Sequence, residues 1–263
     1  MSSARRIAAL YDIHGNLPAL EAVLEELADL RIDLIVVGGD VLPGPLPRET
    51  LERLLALDRP VQFIHGNGEL AALAQFEASD PGTVSYWGTT SGEALPEPLQ
   101  AIVRWSADQV LPHYRTLIAS WPKTIRLDVD GLGDVMFCHG TPRSEVECFT
   151  RLTPEHLLLP VFERVGARVV VCGHTHMPFD RVIGTTRVVN AGSVGMPFGP
   201  PGADWLLLGP DVDLRHTPYD LDAAAERIRS TRYPQAEEFA TSSVLHPPSE
   251  SAVMPGLTSV SFR

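Results

Sequence analysis

Seven side chains able to bind a cation through oxygen or imidazole nitrogen fall in five short clusters rich in glycine: Asp12 with His14, Asp40, Asn67, His139, and His174 with His176. Asp12 and His14 stand two apart in Asp12-Ile13-His14-Gly15-Asn16. In extended chain that spacing turns both to one side, where they can grip one ion. Asp40 follows Gly38-Gly39, a pair suited to a tight turn in which backbone approaches a ligand. Its two oxygens can bridge two cations, which an imidazole cannot do. Asn67 adds an amide oxygen without adding charge. His174 and His176 repeat the two-residue spacing in Gly173-His174-Thr175-His176, although a turn there would send them to different ions. Alone, each cluster also has a simpler reading: Asp12 or Asp40 as a capping or turn aspartate, Asn67 as a turn asparagine, His139 as a satisfied strand histidine. Taken together, aspartate, asparagine and histidine suit borderline divalent ions such as manganese, iron, zinc, nickel or cobalt. Cys-x-x-Cys spacing is absent, which argues against a thiolate structural zinc.

Each cluster closes a short apolar run, at residues 7–11, 34–37, 61–64, 135–138 and 169–172. Their length and β-branched content predict strands, so the polar residues sit at strand ends. Leu17, Leu20, Val23, Leu24, Leu27 and Leu30 form the stripe of an amphipathic helix, and residues 50–57 and 154–165 read the same way. Strands alternating with helices imply a largely parallel sheet, with ligands gathered beyond the carboxyl ends of its strands. Residues 79–121 break the rhythm and read as a helical cap inserted beside the site, or as plain packing helix; the helical pattern runs near 99–117. From residue 124 the chain turns to β, with a hairpin about Asp130-Gly131 and further strands at 187–189 and 205–208 that predict a second sheet. Residues 220–229 suit a last helix, and the proline- and serine-rich stretch from 233 to 263 reads as an irregular, loose arm.

A net charge of -12 argues against a surface that neutralises nucleic acid non-specifically or lies on an anionic membrane. An anionic substrate would need a local positive centre. Cys138, Cys148 and Cys172 are odd in number with no close pair, and are expected as reduced core residues. No apolar run has the length of a membrane span or of a signal peptide, so the cytoplasm is the expected location. The oligomeric state is not legible. A dinucleotide-binding fold lacks its Gly-x-Gly-x-x-Gly turn after the first strand.

The five clusters, in this order, resemble the signature blocks of the calcineurin-like metallophosphoesterase superfamily. His139-Gly140-Thr141-Pro142-Arg143 and Asn190-Ala191-Gly192-Ser193-Val194-Gly195 are similar to its small bacterial and archaeal phosphodiesterase-like branch. The resemblance implies an α/β fold, a two-sheet β-sandwich flanked by helices in four layers (α/β/β/α), over residues 1–232. The insertion at 79–121 would be its cap and 233–263 its tail. It implies that Asp12, His14, Asp40 and His176 hold one divalent ion, and that a bridging Asp40, Asn67, His139 and His174 hold a second. Asp40, Asn67 and His139 would be the catalytic set, with Asn16 and Arg143 orienting the phosphate. The implied substrate is a small phosphodiester or phosphomonoester, including nucleotide-type esters, attacked by water that the two ions acidify. Many relatives carry histidine after the metal-binding asparagine to protonate the leaving group, whereas this chain has Gly68 and then Glu69. His65, Glu69 and His113 are candidate substitutes, although each reads better as a structural or exposed residue. Without a proton donor, activated or nucleotide-type esters should turn over better than alkyl monoesters. Tyr11 replaces a serine common in relatives and would narrow the pocket or pack beneath it. The alternative is a catalytically silent metal-binding or protein-interaction module of the same fold, which has little reason to keep all seven ligand positions.

Overall fold

In the computed structural model, which describes residues 6–77 and 96–259, ten strands follow in chain order. They are β1 (Ile7–Leu10), β2 (Leu34–Val37), β3 (Val61–Phe63), β4 (Thr124–Val129), β5 (Gly133–Cys138), β6 (Val169–Cys172), β7 (Phe179–Ile183), β8 (Thr186–Asn190), β9 (Ala203–Leu208) and β10 (Val212–Thr217). Two five-stranded sheets result, ordered β10-β9-β1-β2-β3 and β4-β5-β6-β8-β7. β1, β2 and β3 run parallel, as do β5, β6 and β8, while β9, β10, β4 and β7 add antiparallel neighbours. The expected second sheet is present, and the strands read as one largely parallel run are shared between the two, three of the five polar clusters ending strands of one sheet and two ending strands of the other. The expected hairpin is present as β4 and β5.

Alternation along the strands builds four layers. Ile7, Ala9 and Tyr11 face Val135, Phe137, Val169 and Val171 in the core between the sheets. Ala8, Leu10, Ile35 and Val37 face outward onto Leu20, Val23, Leu27 and Leu51 of α1 (Leu17–Ala28) and α2 (Pro47–Leu55). On the other side Cys138, Val170 and Cys172 pack under Leu158 and Phe162 of α6 (Glu155–Phe162); α3 (Asn67–Glu77), α4 (Glu97–Gln109) and α5 (Pro112–Ala119) precede it in the chain. Burial on both faces explains why β1, β2 and β6 read as unbroken apolar runs. Each such leucine or isoleucine contributes about 1.5–3 kcal/mol. All three cysteines are buried and outside any disulfide, as expected.

The helical pattern near 99–117 is two helices, not one. Pro112 lacks an amide proton and forces its predecessors out of helical conformation, so Val110 and Leu111 are extended, with ψ of 117° and 149°. Residues 79–95 of the expected cap lie outside the described residues.

The expected loose arm is not seen over the described part of 233–263. After α7 (Leu221–Arg229) come α8 (Ala236–Phe239), a π-helical turn (Ala240–Leu245) and α9 (Glu250–Ser259). Tyr233, Phe239, Ala240 and Val244 pack with Ile102, Val103 and Ile228, and Met254 and Leu257 rest on Met177. A π turn shifts the helical phase, and Pro248 and Pro255 interrupt it, so apolar residues that share one buried face keep no single period along the chain. No described helix is long and apolar enough to cross a membrane.

Candidate metal centre

Asp12, His14, Asp40, His174 and His176 all take left-handed backbone, with φ of 54°, 47°, 53°, 67° and 56°, and are the only non-glycine residues to do so among those described. Each such turn costs about 1 kcal/mol or more, and strain of this kind collects at functional sites. What over-determines it is visible. The loop after β1 pairs with the loop after β2 through Asp12 N to Gly39 O (3.1 Å), His14 N to Asp40 O (2.9 Å) and Gly15 N to Val41 O (2.8 Å). The buried Asn190 amide donates to Gly173 O at 2.6 Å and Thr175 Oγ1 at 3.1 Å, and the Ser193 hydroxyl donates to Asp12 O at 2.7 Å. The Asn190–Gly195 stretch is thus a brace under two ligand loops.

The side chains gather in two groups, Asp12, His14 and His176 in one and Asp40, His139 and His174 in the other, with the ligand atoms of each within 4.8 Å of one another. Asp40 faces both: Oδ2 lies 3.7 Å from His14 Nε2 and Oδ1 lies 3.6 Å from His139 Nε2. Asn67 Oδ1 is 3.0 Å from His139 Nε2. All seven predicted ligands therefore meet in one place.

Three imidazoles are oriented by backbone carbonyls. His14 Nδ1 faces Pro43 O at 3.2 Å, His139 Nδ1 faces Gly38 O at 2.9 Å, and His176 Nδ1 faces Met196 O at 2.8 Å. A neutral ring donating through Nδ1 turns a bare Nε2 lone pair inward, the usual arrangement around a bound metal. His14 Nε2 and His176 Nε2 then point at each other across 3.2 Å, acceptor against acceptor. Asn67 Oδ1 and His139 Nε2 make the same mismatch. Asp12 Oδ1, fully buried, has no hydrogen-bond partner among the described residues and lies 3.3 Å from His176 Nε2. A shared cation resolves every one of these contacts. Two nitrogens about 2.1 Å from one ion and about 100° apart lie about 3.2 Å from each other.

The electrostatics agree. Burial, with His176 beside it, brings the His14 imidazole down to about 3, and burial with His139 does the same to His174. Both are neutral donors at ordinary pH. Burial pushes Asp40 well above the carboxylate range, and Glu69 and Asp12 add to it. Asp12 feels the same burial, but His176, His139 and His14 together outweigh it and hold its carboxyl below the usual range. In metal-free protein His14 and His174 would bind protons only once unfolded between about pH 3 and 6.5, so stability falls on acidification through that window; Asp40 opposes them, one group against two. The melting temperature of the metal-free protein should drop between pH 7 and 5, and a flat or rising profile would contradict these environments.

The pattern that defines the calcineurin-like phosphoesterase superfamily domain matches residues 6–209. This chain belongs to that superfamily. A curated relative, an uncharacterised protein of Methanocaldococcus jannaschii, is 24% identical over 87% of this chain and 94% of its own. Another, phosphodiesterase YfcE of Escherichia coli, is 27% identical over 76% of this chain and 85% of its own. Among solved structures, a hypothetical protein of Pyrococcus horikoshii superposes with a TM-score of 0.75 at 23% identity, covering 93% of this chain and 99% of that one. A metallophosphoesterase of Sphaerobacter thermophilus gives 0.66 at 24%, covering 91% and 98%. The four-layer fold is that of these metallophosphoesterase structures.

The calcineurin-like pattern also isolates what is particular to this chain. Gly68 leaves no room for the relatives' histidine: a Cβ there would run into the Leu42 carbonyl oxygen, and the Gly68 amide donates to Asp40 Oδ1 at 2.6 Å. None of the three sequence-level substitutes faces the centre. Glu69 accepts four backbone amides, His65 Nε2 is 2.7 Å from Ile118 O, and His113 is exposed beside Tyr114. Asn16 and Arg143 are corrected as well. Asn16 caps α1, accepting from Ala19 N at 3.2 Å and donating to Gly195 O at 2.9 Å and Tyr219 at 3.3 Å, so its amide is spent on structure. Arg143 is exposed, paired with Glu147 at 2.6 Å, and is not among the residues lining the cavity over the centre. Tyr11 packs beneath the site, its hydroxyl on Val171 O at 3.2 Å. Two neighbours had no sequence signal: Cys148, whose sulfur is 3.1 Å from His174 Nε2, and Phe198, whose ring stacks on His176 at 5.4 Å.

Proposed function

We propose that this protein is a dinuclear metal-dependent phosphoesterase, acting on a phosphodiester or phosphomonoester. The single observation that carries the reading is the set of inward-facing acceptors, His14 Nε2 against His176 Nε2 and an Asp12 Oδ1 with no hydrogen-bond partner among the described residues, an arrangement that bound cations would satisfy. Asp12, His14 and His176 would hold one ion with one Asp40 oxygen, and Asn67, His139 and His174 the other with the second Asp40 oxygen. Manganese, iron, zinc, nickel and cobalt all suit these donors. Two such ions supply the positive charge that draws a phosphate to an otherwise acidic protein and acidify the attacking water.

The chain's own residues do the rest. Carbonyls of Pro43, Gly38 and Met196 fix three rings in one tautomer, so the donors need not reorganise when substrate arrives. His14, Asp40, Asn67, His174 and His176 form the floor of a cavity of about 310 Å³, which brings the ester to the ligand side chains while Asp12 and His139 stay beneath them. With Gly68 in place of a proton donor, a leaving group that is already acidic is favoured, and an alkoxide loses a contribution of about 10² to 10⁴ in rate.

The test is hydrolysis of p-nitrophenyl phosphate, bis-p-nitrophenyl phosphate and simple alkyl phosphates by chelated protein reconstituted with each metal in turn. Activity should appear only on reconstitution and favour the aryl esters. Stoichiometric metal without hydrolysis of any ester would identify a silent binding module instead.

A further inference from the structure

We propose that the organic group of the substrate is apolar and ring-bearing, and that α4 together with residues 233–248 forms the specificity wall that receives it. The inference rests on the phosphoesterase reading and deepens it.

The cavity above the ligands is asymmetric in chemistry. Its floor is imidazole, carboxylate and amide. Its walls are chiefly apolar, with Leu99 and Ile102 from α4, Met196 and Phe198 from the loop after β8, and Tyr233 and Phe239 from the C-terminal segment, where Gln235, Ser242 and Ser243 add neutral polar groups. Among the described lining residues there is no lysine or arginine, and apart from the floor the one charged side chain is Glu238. A second phosphate or a carboxylate would therefore meet apolar surface and a negative charge, whereas a ring would be buried against matching surface. A volume of about 310 Å³ is at the small end for ligand sites and fits a phosphate with one ring system rather than an extended polyphosphate.

The wall is held in place rather than assembled on demand. Trp105 of α4 meets Tyr233 edge-on at 5.4 Å, and Tyr233 meets Phe239 edge-on at 6.0 Å. The Phe239 and Ala240 pair is buried against Ile228 of α7, and Gly199 N donates to Pro248 O at 3.0 Å, tying the segment back to the Phe198 loop. Phe198 in turn stacks on the ligand His176. Organic-group pocket and metal floor are thus one continuous surface.

The experiment is calorimetry on the manganese-loaded protein with three non-hydrolysable phosphonates: methylphosphonate, benzylphosphonate and 3-phosphonopropionate. Benzylphosphonate should bind about tenfold or more tightly than methylphosphonate, the effect of burying one aromatic ring. 3-Phosphonopropionate should bind no better than methylphosphonate. Ser242 lines the cavity from an exposed position, so Ser242→Phe fills the space without disturbing the core and should erase the benzyl preference. Phe239→Ala should reduce the same preference by removing wall. Equal affinity for the methyl and benzyl compounds, or a benzyl preference untouched by Ser242→Phe, would overturn the inference while leaving the metal centre standing. Methylphosphonate binding that does not depend on metal would overturn the phosphoesterase reading and this inference with it.

Discussion

Asp40→Asn is expected to lower phosphoesterase turnover by about a thousandfold or more, because it withdraws the one carboxylate shared by both ions and several kcal/mol of charge stabilisation with it. The substitution is nearly silent for the fold. Asparagine tolerates the left-handed backbone that Asp40 adopts at φ 53°, and its amide oxygen can still accept from the Gly68 amide, now at 2.6 Å. What changes is that an NH₂ group takes the place of the second anionic oxygen, the one 3.7 Å from His14 Nε2. Turnover at saturating manganese, alongside an unchanged circular dichroism spectrum, checks the prediction. A folded variant with turnover close to wild type would show that Asp40 does not bridge.

Glu69→Ala should produce the largest loss of stability among single changes near the site, about 4 kcal/mol and roughly 10 °C in melting temperature. Its buried carboxylate accepts from Gly66 N at 2.7 Å, Asp40 N at 2.8 Å, Val41 N at 2.8 Å and Leu42 N at 3.3 Å. Truncation leaves those buried donors unpaired in the turn that presents Asp40. Glu69→Gln keeps the shape but turns an amide NH₂ toward donors, so it should be nearly as harmful. Thermal unfolding of the two variants separates the lost acceptor from lost packing. A melting temperature within about 2 °C of wild type for both would contradict the clamp.

The same residue shows where sequence reading stops. That polar clusters end apolar strands was legible, because strand length, β-branched content and the two-residue spacing of Asp12 with His14 and His174 with His176 are local properties. The ligand set followed from those clusters and from their resemblance to a known order of blocks. That there is a second sheet was legible from the β-rich stretch after residue 124 and from the resemblance; which sheet takes β5 and β6 was not, since a strand buried on both faces reads alike in either. Glu69 could be read as a substitute acid or as a structural residue, because nothing local tells a carboxylate aimed at solvent from one that closes on the Gly66 amide and on three amides of the loop after β2. Asn16 was misassigned for the same reason: a helix cap and a phosphate contact both call for an amide beside a glycine. Residues 233–259 looked irregular because their apolar positions change phase at a π turn, though their packing on α4 and α7 is ordered. Cys148 reaches His174 only through the tertiary fold.

Anomalous X-ray diffraction from crystals equilibrated with manganese tests the dinuclear assignment most directly. Two manganese peaks are predicted, one among Asp12, His14 and His176, the other among Asn67, His139 and His174, with one Asp40 oxygen on each. A single peak, or none within reach of these side chains, would contradict the account.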